Sequence, residues 1–284
     1  MAEKHPPRRR PAVLTNPNAD RIRNVAALAG RRVRRRTGLV LIEGPQAVRE
    51  ALKFCGSDLV DVFLSEDVFE RDPQLVELAR EATHWVHPVT AEVARAISPD
   101  SQGVAAVVKD FRTLELPRID WNFVVIAPQI QDPGNLGTLI RIADAAGADA
   151  LLLCAGTADP TSPKVVRASA GSVFHLPTVV GMSAEDAYQW ARARGMRIVG
   201  ADGNGAIDLF AAADGLEPLD LAAPIAWVFG NEAHGFNQLG TEGIDDLVSI
   251  PLSGHAESLN VAAAAAVALM LTSKARRSSG EAGR

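Results

Sequence analysis

Cysteine is almost missing from this chain. The 284 residues include two, Cys55 and Cys154, far apart in sequence and each beside apolar neighbours. Two such residues make neither a disulfide framework nor a metal-ligand spacing, and they point to a reducing, cytoplasmic location. Aromatic residues are only 5% of the sequence and do not interleave with basic ones, so a platform for stacking single-stranded bases is not indicated. Long apolar runs are missing too: the longest, Val261 to Leu271, covers 11 residues. A bilayer span takes about 20, so no membrane association is expected. No early segment has the basic, apolar, small order of a secretion signal. The sequence also lacks a GxGxxG fingerprint, a GxSxG elbow, a P-loop and a His/Cys cluster, and no metal is expected.

What is present suits a soluble globular protein, with 47% hydrophobic and 22% charged residues. The net charge of −5 conceals an asymmetry. Residues 1–36 carry 11 Lys or Arg against Glu3 and Asp20, whereas residues 37–284 carry 18 basic and 32 acidic groups. A basic arm on an acidic body fits a nucleic-acid contact, because phosphate binding releases counterions. From charge alone, a solubilising tail fits equally well.

The chain reads as two α/β segments. Residues 1–17, rich in Pro and Arg, are expected to be a disordered basic arm. A helical pattern follows near 18–35, then a strand in "GLVLIEG" and a helix in "PQAVREALKF" with Pro in its first turn. Strands are expected in "LVDVFLS", "THWVHPV" and "GVAAVVKD", with helices at 72–82 and 90–97. These make a small α/β domain over 18–110, and the mixed stretch 111–120 reads as a linker. His84 and His87 in "HWVH" would face opposite sides of a strand, which disfavours metal binding. From Trp121 onward, "FVVIA", "ALLLC", "LPTVV", "MRIVGA", "IAWVF" and "LVSIP" alternate with helical stretches. Short, continuous apolar runs of this kind predict a parallel sheet covered on both faces. "VGADGNGAIDLF" reads as a turn, and an Ala-rich helix closes the domain, expected over 121–275 with a flexible tail at 276–284.

Ligands of such sheets bind beyond the carboxyl ends of the strands. Three loops there are rich in Gly and polar residues: "APQIQDPGNLG", "GNEAHGF" and "LSGHAESLN". Each polar residue has a local explanation. Asn135 reads as a helix cap, Arg141 and Asp144 as an exposed i,i+3 pair, and Glu232 as a charge favoured at a helix start. Ser258 and Asn260 read as caps of the last helix. Their joint occurrence at three adjacent strand ends is what suggests a site.

In order and spacing, "DPGNLGTLIRIADAAGADA", "WVFGNEAHGF" and "IPLSGHAESLNVAAAAAVALM" resemble the three motifs of the SpoU (TrmH-like) RNA 2′-O-ribose methyltransferases. "SPKVVRASAGSVFHLP" is similar to that family's central segment, and residues 22–52 to its frequent N-terminal substrate-binding domain. The resemblance implies S-adenosyl-L-methionine as methyl donor, a C-terminal trefoil knot and a homodimer. By the same resemblance Arg141 is the catalytic arginine, with Asn135, Glu232, Ser258 and Asn260 completing the catalytic set. Gly230, Asn231, Ile250, Leu252 and Leu259 correspond to the donor-binding positions. RNA becomes the expected partner, contacted through Arg31, Arg32, Arg34, Arg35 and Arg36. Ribosomal RNA, 23S above all, is favoured over tRNA because of the extra N-terminal domain. A tRNA methyltransferase and a catalytically silent RNA-binding factor remain the alternatives.

Overall fold

The computed structural model describes residues 12–116, 120–230 and 243–280. The chain divides into two compact units, Met1–Asp110 and Phe111–Arg284.

The first unit begins with α1 (Asp20–Ala26), a 3-10 turn over Ala27–Ala29 and α2 (Arg31–Thr37). The single helical pattern expected near 18–35 is therefore interrupted. Gly30 is extended, with φ −82° and ψ 127°, and the break strips the preceding carbonyls of their helical donors. Arg34 replaces them: its Nη1 donates to Leu28 O at 3.0 Å and to Ala29 O at 2.7 Å. Arg34 is only 2% exposed, so it leaves the set of arginines expected to touch RNA. The cause is the cost of burying bare carbonyls, which a guanidinium with five donors meets from one position.

Next come β1 (Leu39–Glu43), α3 (Pro45–Phe54), β2 (Leu59–Ser65), α4 (Glu66–Arg71), α5 (Pro73–Ala82), β3 (Val86–Val89), α6 (Ala91–Ile97) and β4 (Val104–Lys109). The sheet order is β1-β4-β2-β3, with β4 antiparallel to both neighbours and β2 parallel to β3. Ile22, Val25, Val93, Ala94 and Ile97 of α1 and α6 pack on the face carrying Leu41, Phe63, Val89 and Ala105. The expected disordered arm does not extend through residue 17. Leu14 N donates to Pro88 O at 2.8 Å and Thr90 N to Leu14 O at 3.1 Å, adding a bridge beside β3. An edge strand has unpaired amides, and these residues supply partners for them.

The second unit carries β5 (Phe123–Ala127), α7 (Pro133–Ala146), β6 (Ala150–Leu153), α8 (Pro163–Ala168), β7 (Thr178–Val180), α9 (Ala184–Arg192) and β8 (Arg197–Ala201). It continues with β9 (Ile207–Asp208), α10 (Leu209–Ala213), β10 (Ile225–Val228), β11 (Asp246–Ser249) and α11 (Val261–Ser278). Its strands form one parallel sheet in the order β7-β6-β5-β10-β8-β11-β9. The stretch read as a plain turn contains β9, paired to β11 through Ile207 and Val248. One sheet face, with Val124, Ile126, Leu152, Ile198 and Val228, packs on Ala187, Tyr188 and Ala191 of α9. Alternation turns Trp227 to the other face, where its Nε1 donates to Thr272 Oγ1 of α11 at 2.9 Å.

Two expected boundaries also shift. Within the stretch read as a linker, Thr113 exchanges backbone hydrogen bonds with Thr178 and Val180, extending the sheet beside β7. In the stretch read as a tail, Arg276 belongs to α11 and is buried. Its guanidinium donates to Asn122 Oδ1 at 2.6 Å and to the carbonyls of Ala222 and Ala223. No helix among the described residues is long and apolar enough to cross a membrane.

The role of Arg34 is measurable by thermal or urea unfolding. Arg34→Ala should lose about 2 kcal/mol, since it leaves two carbonyls without a charged donor. Arg35→Ala, at an exposed position of the same helix, should stay within about 0.5 kcal/mol of the parent.

Candidate functional site

In this sheet the chain runs from β5 outward through β6 and β7, then crosses over to β8 on the other side. β10 later fills the place between β5 and β8, so the order reverses at the carboxyl ends of β5 and β10. That is the crevice where open parallel sheets bind ligands. The loops after β5 and β10 are neighbours there, as expected. The loop after β11 is one strand further away, because β8 lies between β10 and β11. The three motif-bearing strand ends are thus not all adjacent, a consequence of strand order that sequence order does not reveal.

The first loop runs into α7. Its cap is Asp132, not Asn135: Asp132 Oδ1 accepts from Asn135 N at 2.8 Å, with Pro133 following at the first helical position. The Asp-Pro pair was the sequence signal for this, since Pro has no amide to satisfy there. Gly147, at φ 79°, ends the helix. Gly137 lets α7 approach α8 closely, because a Cβ there would lie 2.4 Å from Ala168 Cβ.

With its backbone bonded by Asp132, Asn135 presents its side chain to the third motif. Asn260 Nδ2 donates to Asn135 Oδ1 at 3.0 Å. Asn260 also caps α11, its Oδ1 accepting from Ala262 N at 3.0 Å and Ala263 N at 3.4 Å. One amide therefore joins the first turns of two helices 125 residues apart. Both helix N-termini carry positive partial charge, so the junction suits an anion or the developing charge of a reacting oxygen.

Arg141 lies along the same helix on an exposed position. The expected pairing with Asp144 does not form. Asp144 Oδ2 is instead 2.9 Å from His175 Nδ1, and Arg141 has no hydrogen-bond or ion-pair partner among the described residues. Ser258 is exposed and caps no helix among the described residues; the cap of α11 is Asn260.

Of the expected donor-binding residues, Gly230, Ile250 and Leu259 are half-buried and Leu252 is 39% exposed. Between residues 251 and 259 the backbone makes no backbone hydrogen bond with other described residues, leaving N–H and C=O groups available. Apolar side chains beside open peptide groups fit a flat heterocycle such as adenine. Asn231 and Glu232 lie outside the described residues. Neither cysteine offers a thiolate. Burial, with Asp58 adding to it, pushes Cys55 up to about 12; burial and Asp186 do the same for Cys154.

Residues 122–270 match the SpoU rRNA Methylase family. The chain belongs to the SpoU family. Residues 19–106 of this SpoU protein match the MRM3-like substrate binding domain. It is 34% identical, over 87% of its length and 93% of the relative's, to the 23S rRNA (guanosine(2553)-2′-O)-methyltransferase RlmP of Bacillus subtilis. The 23S rRNA (guanosine-2′-O-)-methyltransferase RlmB of Shewanella oneidensis is 29% identical over 84% of this chain and 98% of that one. Among solved structures, the SpoU methyltransferase AviRb from Streptomyces viridochromogenes, in complex with AdoMet, superposes with a TM-score of 0.78 at 30% identity. That match covers 92% of this chain and 100% of AviRb.

The two functions of the Asn260 amide can be separated by substitution. Asn260→Asp keeps the capping oxygen and loses the donor to Asn135; Asn260→Ala loses both. Urea unfolding should show Asn260→Ala destabilised by about 1 kcal/mol and Asn260→Asp by less than half as much.

Proposed function

We propose that this SpoU protein transfers the methyl group of S-adenosyl-L-methionine to a ribose 2′-hydroxyl of 23S ribosomal RNA. The observation that carries the reading is the Asn135–Asn260 hydrogen bond, which joins the motifs bearing Arg141 and the donor-binding residues. The 23S rRNA activity of RlmP and RlmB and the AdoMet bound by AviRb support the substrate and donor.

S-adenosyl-L-methionine supplies an electrophilic methyl group, which the 2′-oxygen accepts by in-line displacement while the donor sulfur departs as a thioether. Everything else falls to the chain. Gly230, Ile250, Leu252 and Leu259 hold the adenine with apolar contacts and open backbone groups, and Asn231 completes that set. Asn135 and Asn260 fix the loops relative to one another, with Glu232 and Ser258 assigned to the same catalytic set. Arg141 binds the phosphate next to the target ribose and stabilises the charge that grows on the 2′-oxygen. A free guanidinium keeps its proton at any pH below about 12, so Arg141 is not an ordinary base and the hydroxyl proton passes to water. Holding both reactants in near-attack geometry supplies a large share of the acceleration.

Arg31, Arg32, Arg35 and Arg36 are exposed on or beside the short α2 and form the RNA-contacting set in this reading. A homodimer is included in the proposal. It is supported by Met270, 43% exposed on α11 next to half-buried Val267 and Leu271. The expected knot depends on the path of residues 231–242, outside the described residues. A cytoplasmic location follows from the proposed ribosomal substrate.

Two experiments test the function. Arg141→Lys should reduce methyl transfer to 23S rRNA by about a hundredfold or more while calorimetry finds S-adenosyl-L-methionine binding unchanged. A near-parental rate would overturn the role of Arg141, and absent donor binding would overturn the enzyme reading. Replacing Arg31, Arg32, Arg35 and Arg36 together by Ala should flatten the slope of log K against log salt for RNA binding by about three. An unchanged slope would remove α2 from the RNA contact.

A further inference from the structure

Arg141 is an exposed cation with carboxylates close by in sequence, yet none of them pairs with it. Asp132, at the start of α7, caps the helix through Asn135 N and lies 3.9 Å from Lys164 Nζ. Asp144 is three residues after Arg141, which places it one turn further along the same side of the helix. An Arg–Asp pair at that spacing is the ordinary outcome on a helix surface. Here Asp144 is held by a residue from another element. His175, directly after the 3-10 turn Ser172–Phe174, bonds it through Nδ1 at 2.9 Å. Both side chains are about three-quarters buried, so this contact is better shielded from solvent than an exposed Arg–Asp pair would be.

We propose that His175 is a positioning residue for methyl transfer: by holding the Asp144 carboxylate, it keeps the guanidinium of Arg141 free for a substrate phosphate. This inference rests on the proposed role of Arg141. The geometry that carries it is the competition for one carboxylate. If His175 lets go, Asp144 becomes available to Arg141 and competes with the phosphate for it. The backbone of this segment is anchored independently of the His175 ring. His175 N donates to Ser172 O at 3.0 Å, and Phe174 packs edge-on against Phe111 with ring centroids 5.2 Å apart. Truncating the ring therefore removes the contact without dismantling the turn.

The test uses the full-length protein with His175→Ala, His175→Asn and the double variant His175→Ala/Asp144→Asn. Asn at position 175 retains an N–H donor close to where Nδ1 stands. Phenylglyoxal, which attacks unpaired guanidinium groups, is followed at Arg141 by mass spectrometry, with no RNA present. Labelling of Arg141 should slow about twofold in His175→Ala, the size expected for an i,i+3 ion pair, and recover in the other two variants. The KM for 23S rRNA should rise about two- to fivefold in His175→Ala and recover in the same way, with kcat changing less. Parental labelling and KM in His175→Ala would overturn the proposal. So would a loss that Asp144→Asn does not rescue, because that is the signature of a merely structural residue. If labelling follows the prediction while Arg141→Lys remains fully active, the positioning contact stands and the proposed role of Arg141 falls.

Discussion

The side-chain amide of Asn260 faces two ways. Its oxygen accepts from two amides at the start of α11, and its nitrogen donates to Asn135 in the first turn of α7. This junction links the two halves of the candidate site. The first motif supplies an arginine, and the third supplies apolar side chains beside open backbone groups. A methyl transfer needs the two at a fixed separation, and a shared amide is a short, directional way to fix it. Capping alone would be met by Asp or Ser; a carboxamide offers both an acceptor and a donor on one planar group.

The same logic of committed polar groups recurs across the fold. Arg34 serves carbonyls exposed by the break at Gly30, and Arg276 serves carbonyls and an amide at the far end of α11. Asp132 caps α7, and Asp144 is held by His175. Against this background the absence of any partner for Arg141 among the described residues stands out. A cation left uncommitted on a helix whose neighbouring carboxylates are all engaged is available to an incoming anion.

Much of this was legible in the sequence. Apolar runs such as "FVVIA" and "IAWVF" announced buried parallel strands, because both faces of such strands must be covered. The motifs located the loops, and the resemblance they carry named the family to which the chain belongs. The errors share a cause. Arg34 looks like its basic neighbours in the sequence because helical periodicity shows nothing of a break that its own side chain repairs. Asn135 resembles a cap because Asn caps helices often, although Asp132-Pro133 is the stronger signal. The 111–120 stretch and the 276–284 stretch looked unattached because their partners, Thr178 and Asn122 among them, are distant in sequence.

By itself the sequence determined most strands, most helices, the two-unit organisation and the residue types available for chemistry, since local pattern and composition govern each of these. Tertiary structure alone decided which strand ends are neighbours. β8 inserts between β10 and β11, a crossover that no periodicity encodes. It also decided the pairings that give polar residues their roles: Asn260 with Asn135, His175 with Asp144, Arg34 with the carbonyls it caps. Those choices are made between groups far apart or turned inward, where the cost of leaving a donor or acceptor unpaired outweighs any local preference.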